Sequence, residues 1–401
     1  MRTLIYILLI ILWAAKSSCA PISSSPNDVQ VSLVHRNNFV RPYLGTSLLK
    51  EPEKRTKARD LYTKPLLGAQ NDVQARFVHG EETRREDREN LSVLFWNVEN
   101  FYDWRNDSTT VSDAEFSSGG ERHWTWKRFQ AKANAFAKAL LWVEGEKGHL
   151  PDIVGLAEVE NAFVLWQVLQ KTLLRKTDYR YVHYDSPDRR GIDVALLYRS
   201  SVLELIDSKP CHLVSADTVM ATRDILMCVF RKKDTVVPAR TINLPKGPVF
   251  AVLVNHHPSK YGGTSVSEPR RRIAVERLRF LTDSLRASGI GRIIACGDFN
   301  DTPDNPVFNL LKPSLLPMHL DLFRRGEGTI KYDGKWDLID HFYVSPDLSL
   351  YSRMHILRIP FLLTRDTAHS GEKPLRTYLG PRYTGGVSDH LPILLEIRLP
   401  P

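Results

Sequence analysis

Four short segments of this 401-residue chain concentrate side chains that can do chemistry: Asn97-Val98-Glu99-Asn100, Glu158-Val159-Glu160-Asn161, Asp298-Phe299-Asn300-Asp301 and Ser388-Asp389-His390. Carboxylates and amides are hard oxygen donors for a cation such as Mg²⁺, and a carboxylate or imidazole can carry protons near neutral pH. Singly, Asn and Asp after a strand are ordinary turn formers. Their recurrence gives them weight. Three of the segments begin where an apolar run stops, the fourth precedes the run Ile393 to Ile397, and strand ends are where α/β proteins assemble their sites.

The elements that must position these residues are legible as periodicities. Strand-like runs are Val93 to Trp96, Ile153 to Leu156, Ile192 to Tyr198, Val249 to Val254, Arg292 to Cys296, Ile339 to Val344 and Ile393 to Ile397. Between them, Phe129, Ala133, Phe136, Leu140 and Val143 step by four and three, which predicts a helix over 127–144 with one apolar stripe. Ala274, Leu278, Leu281 and Leu285 repeat the rhythm, with Ser267 as the expected cap and Pro269 in the first turn. Strands alternating with such helices predict a layered α/β protein over 89–401.

In order and residue type the constellation resembles the endonuclease/exonuclease/phosphatase superfamily. The pieces that match are Trp96-Asn97-Val98-Glu99, Ala157-Glu158-Val159, the histidine of Asn255-His256-His257-Pro258-Ser259, Gly297-Asp298-Phe299-Asn300, Asp340 in Trp336-Asp337-Leu338-Ile339-Asp340-His341, and Ser388-Asp389-His390. The stretch from Asn255 to Gly263, together with Arg190-Gly191-Ile192-Asp193, looks most like a bacterial secreted branch.

The resemblance implies a four-layer sandwich of two mixed β-sheets flanked by helices. It also implies a divalent-metal-dependent hydrolase of phosphoesters, a phosphodiesterase or nuclease. On that basis Glu158 is the principal ligand of Mg²⁺, with Mn²⁺ or Ca²⁺ as alternatives, and Asn97, Glu99 and Asp389 support it. Asp298 orients or deprotonates the attacking water and Asn300, expected on the same face of a strand, bonds the phosphate. His390 contacts the phosphate and is held by Asp340; His256 is the second histidine, with His257 one residue out of register as its competitor. Arg190 and His257 are candidate substrate contacts. A phosphomonoesterase or lipid phosphodiesterase is the rival within the enzyme class, and a binding protein without turnover is the rival outside it.

Composition agrees and adds a compartment. A 42% hydrophobic share with 8 Trp, 14 Tyr and 16 Phe supplies a large core and excludes a wholly disordered chain. The net charge of +9 fits an anionic substrate such as a nucleic acid. Arg2 followed by the apolar run Leu4 to Ala15 predicts a signal peptide over 1–20, the run being shorter than the roughly 20 residues that span a bilayer. The protein is therefore expected to be secreted or periplasmic, a monomer, and without a transmembrane segment. Lipidation at Cys19 is the alternative. Residues 21–88 read as a disordered tail or linker, closed by the run Glu81 to Arg88. Cys211 and Cys228 flank a segment able to fold back and form a disulfide, while Cys296 reads as a buried thiol. Arg270, Arg271 and Arg272 read as a solvated helix face, and Trp124 and Trp126 as packing at a helix start, with base stacking as the alternative.

Overall fold

Alternation along β1 (Asn90–Phe101) sets the layers. Leu91, Val93 and Phe95 enter a core shared with Val252, Val254, Ile294 and Phe342, while Leu94, Trp96 and Val98 enter another with Phe129, Phe136 and Leu140. A strand with apolar residues on both of its faces must be covered on both. The computed structural model describes residues 90–107, 110–233, 247–260 and 264–398. The signal peptide, the Cys19 anchor and the tail expected over 21–88 lie outside the described residues.

In chain order the elements that build the site are β1, α1 (Trp126–Lys147), β2 (Ile153–Val159), α2 (Ala162–Lys171), β3 (Tyr179–His183), β4 (Asp193–Arg199), β5 (Leu203–Cys211), β6 (Ile225–Lys232), β7 (Val249–His256), α3 (Thr264–Ala287), β8 (Ile293–Asp298), β9 (Leu316–Pro317), β10 (Asp340–Val344), β11 (Ser352–Ile356) and β12 (Ile393–Arg398). One six-stranded sheet runs β11-β12-β1-β2-β4-β3 and the other β9-β10-β8-β7-β6-β5. In each, one central pair is parallel, β1 with β2 and β7 with β8, and the remaining pairings are antiparallel.

Helices α1 and α2 cover the outer face of the first sheet, and Ala274, Leu278, Leu281 and Leu285 of α3 cover that of the second. This is the expected four-layer sandwich of two mixed sheets with helices outside. All five residues of the α1 stripe are buried. Gly155 lies where the sheets press together: a Cβ there would meet Cys296 Sγ and Phe95 Cδ2, each at 3.2 Å. Among the described residues no helix is long and apolar enough to cross a membrane.

Several expectations need correction. Helix α3 begins at Thr264, not at a Ser267 cap, so Pro269 lies inside it. Ser267 Oγ instead accepts from Arg271 Nη1 at 2.8 Å. Arg271 is 1% exposed and pairs with Asp301 at 3.1 Å, so only Arg270 and Arg272 of the triplet are solvated. Cys211 faces Ile225 and Cys228 faces Ser208 in the β5–β6 ladder. The segment does fold back, but the thiols stand three rungs apart, about 10 Å, beyond the ~7 Å limit for a disulfide. All three described cysteines are free and buried. Trp124 is fully buried and its Nε1 donates to Tyr102 O at 2.8 Å, as packing requires, whereas Trp126 is half exposed.

Candidate active site

Each parallel pair ends at the same rim of the molecule, and both strands of the first pair are distorted there. The β1–β2 register shifts between Asn97 and Phe101, and the β2–β4 register between Ala157 and Val159. Glu158 is thereby left unpaired with φ 67°, and Glu99 and Asn100 take φ 48° and 51°. Left-handed backbone costs a non-glycine residue roughly 1–2 kcal/mol, and such irregularities re-aim side chains. Asn100 N donates to Glu158 Oε2 at 2.8 Å, locking one distortion onto the other.

The second sheet contributes a single rung. His256, Asp298 and Asp340 are direct partners across β7, β8 and β10. Gly297 makes the approach feasible, because a Cβ there would lie 2.3 Å from Asn255 O. Asp298 Oδ2 accepts from Asn97 Nδ2 at 3.0 Å, which joins the two sheets, and Oδ1 accepts from Asn300 N at 2.9 Å. His256 Nε2 stands 3.6 Å from Asp298 Oδ2 and 3.9 Å from Glu158 Oε1. His390 Nδ1 is 2.8 Å from Asp340 Oδ2, and its Nε2 is 3.9 Å from Asp298 Oδ2. The His390 loop is pinned to β1: Ser388 Oγ donates to Asn97 O at 2.6 Å and Trp96 Nε1 to His390 O at 2.9 Å.

Electrostatics divides these groups by role. Burial pushes Asp298 up to about 7, although His390 pulls the other way. Burial opposes charge on His390, but Asp340, then Asp298 and Asp389, raise it well above the usual histidine range. Burial, then the charges of Arg223 and Arg190, hold His256 far below that range. The site therefore juxtaposes a carboxylate able to take a proton, a charged imidazole and a neutral one.

Glu99 and Asp389 are engaged elsewhere. Glu99 Oε1 accepts from Arg376 Nε and Nη2 at 3.1 and 2.9 Å, and Oε2 accepts from Thr377 N at 2.9 Å. Arg376 Nη2 also lies 2.9 Å from Asp389 Oδ2. Lys132, fully buried on α1, donates to Glu99 O and, at 2.9 Å, to Thr377 Oγ1. Burial moves Glu99 up to about 7 and Lys132 down to about 8.

A hard divalent cation fits Glu158. With Oε2 held by Asn100, Oε1 meets, among the described residues, only Arg190 Nη2 at 3.7 Å and His256 Nε2 at 3.9 Å, both beyond hydrogen-bond length, so a carboxylate lone pair faces the rim. Asn97 Oδ1 accepts from Glu99 N at 3.0 Å and retains a second lone pair.

Apart from Glu99 and Asp389, most of the expected residues converge, with two further corrections. Asn300 does not share a strand face with Asp298: β8 ends at Asp298, Asn300 sits in a turn at φ 52°, and its Nδ2 donates to His257 O at 3.0 Å. His257 turns away from the rim. The residue is 1% exposed and its ring packs on Phe299 at 4.6 Å between centroids, a position that does not fit the expected substrate contact. Sequence reasoning missed Arg376 and Thr377, which lie in no apolar run, and Arg223, which bonds Asp188 at 3.1 Å and His257 O at 2.8 Å. Lys132 had a readable signal, a cation three residues after Phe129 on a buried stripe.

Solved structures similar to this chain include an endonuclease/exonuclease/phosphatase family protein from Bacteroides thetaiotaomicron (16% identity, 77% of this chain and 97% of that one, TM-score 0.49). A mannosyl-6-phosphatase from the same organism (16%, 76% and 98%, 0.48) and the human nocturnin catalytic domain (17%, 77% and 94%, 0.45) are others. No curated protein sequence matches it. Residues 92–399 match the Endonuclease/Exonuclease/phosphatase family, and the chain therefore belongs to that family of phosphoester-cleaving enzymes.

Proposed function

We propose that this protein hydrolyses phosphodiesters of a nucleic acid, with a divalent cation and outside the cytoplasm. The observation that carries the reading is the meeting of Glu158, His256, Asp298 and His390, drawn from both sheets and the last loop, within 4 Å contacts at one rim. Glu158 and Asn97 would hold a divalent cation, which would supply neutralisation of phosphoryl charge. Asp298, raised towards neutrality, takes the proton of the attacking water. Asn97 Nδ2 and Asn300 N hold its two oxygens in place, leaving its free lone pairs to face the water. His390, charged and fixed by Asp340, donates from Nε2 to a phosphoryl oxygen. Neutral His256 faces the same region and bonds the phosphate or the leaving oxygen.

Support for a polyanion comes from the net charge of +9 and from Arg190, which stands 3.7 Å from Glu158 and is 42% exposed in its side chain. Support for the compartment comes from Arg2 and the apolar run Leu4 to Ala15. The test is a panel of duplex DNA, RNA, sphingomyelin, phosphoinositides and nitrophenyl phosphate, with Mg²⁺ and then with chelator. Nucleic acid should be cleaved and chelator should abolish cleavage. Catalytically silenced Glu158→Gln should bind DNA or RNA with a salt slope of several phosphate contacts. Turnover of only the lipid or the monoester would overturn the substrate assignment.

A further inference from the structure

Two of the carboxylates expected to share a metal, Glu99 and Asp389, touch one nitrogen instead: Arg376 Nη2 lies 2.9 Å from Glu99 Oε1 and 2.9 Å from Asp389 Oδ2. The contact is buried on the Glu99 side, while Arg376 and Asp389 are 43% and 37% exposed in their side chains. Glu99 is 5% exposed, takes a second bond from Arg376 Nε at 3.1 Å, and has its other oxygen occupied by Thr377 N at 2.9 Å. Lys132 closes the opposite side by donating to Glu99 O and Thr377 Oγ1. A planar guanidinium that bonds one carboxylate through two nitrogens is a well-matched partner for a buried acid. An ion entering between Glu99 and Asp389 would have to displace the guanidinium from the buried Glu99 carboxylate, which is costly. Glu158 is the contrasting case, because among the described residues its Oε1 has no partner within hydrogen-bond length.

We propose that the Arg376 guanidinium is a built-in cation that fills the position between Glu99 and Asp389, so that this centre takes a single divalent ion, at Glu158. The inference rests on the reading of Glu158 as the ligand of that ion. Two acidic groups that contact the same nitrogen need a positive charge between them. With Arg376 in place the need is met by the chain itself. Without it, the pair becomes a second oxygen-donor site of the kind that hard cations occupy.

The experiment counts bound Mn²⁺ per full-length chain from the loss of the free-ion EPR signal, with folding checked by circular dichroism. Arg376→Met should bind one ion more than the unaltered chain, and Arg376→Met with Asp389→Asn should lose that ion again. Equal counts for Arg376→Met and the unaltered chain would overturn the proposal. If Arg376→Met does not fold, Asp389→Asn in the otherwise unaltered chain decides: no change in the count supports the proposal, and loss of an ion overturns it. Glu158→Gln separates the two readings. Retention of the full count in that variant rejects Glu158 as the ligand, while the comparison with and without Arg376 still stands.

Discussion

His256 and Asp298 are rung partners on adjacent parallel strands, with His256 Nε2 3.6 Å from Asp298 Oδ2. Asp340 occupies the same rung on the other side of Asp298, and His390 reaches it from the C-terminal loop. Sheet register therefore sets the spacing of the acid–base groups, and the cross-sheet bond from Asn97 ties that register to the edge carrying Glu158. A rung is a stiff ruler, so changes to these residues should act on chemistry more than on fold.

Glu158→Gln should lower kcat by about 100-fold or more, the usual cost of losing a metal ligand or charge stabiliser. The far-UV circular dichroism and thermal midpoint should stay close to those of the unaltered protein, because the substitution opens no cavity. Near-normal turnover at limiting Mg²⁺ would reject the assignment.

Asp340 and His390 should behave as a unit. If the carboxylate mainly orients and charges the ring across their 2.8 Å contact, Asp340→Ala combined with His390→Ala should be scarcely slower than His390→Ala alone. Measured kcat/KM values that multiply instead would separate the two roles.

Acid should destabilise the fold through its buried histidines. Burial holds His257 and His341 down to about 3, and holds His319 far below its ordinary value. In the unfolded chain each titrates near 6.5, so below that pH the unfolded state binds more protons than the folded one. Stability is full above about pH 6.5 and is lost as pH falls from there towards 3, at on the order of 1 kcal/mol per pH unit for each such histidine. Asp298 and Glu99, raised to about 7, work in the opposite sense, so the histidine share is read by difference: between pH 7.5 and 5 the urea midpoint of His341→Phe should move towards lower stability by less than that of the unaltered protein. An unchanged slope in that variant would remove His341 from the account.

The cysteines should remain thiols. Burial pushes Cys211, Cys228 and Cys296 upwards, which suppresses the reactive thiolate. A thiol reagent should label none of the three until denaturant is added, and reductant should leave the thermal midpoint unchanged. A linked Cys211–Cys228 peptide in a non-reduced digest would contradict the ladder register.

Local pattern determined a great deal here. Seven strand-like runs, the α1 stripe and the polar residues at strand ends are all written in periods of two and three to four, because a side chain's direction follows directly from its position in a strand or helix. Asn97, Glu158, Asp298 and His390 are legible as polar residues beside apolar runs, while His256 is singled out only through the family resemblance. Tertiary structure alone decided the rest. The one-residue choice between His256 and His257 depends on strand register, since a shift of one turns a side chain to the opposite face. The ladder spacing of Cys211 and Cys228 depends on pairing across a long connection. The Arg376 clamp on Glu99 joins residues 277 positions apart, and no local period records a contact made only when a loop closes over a sheet rim.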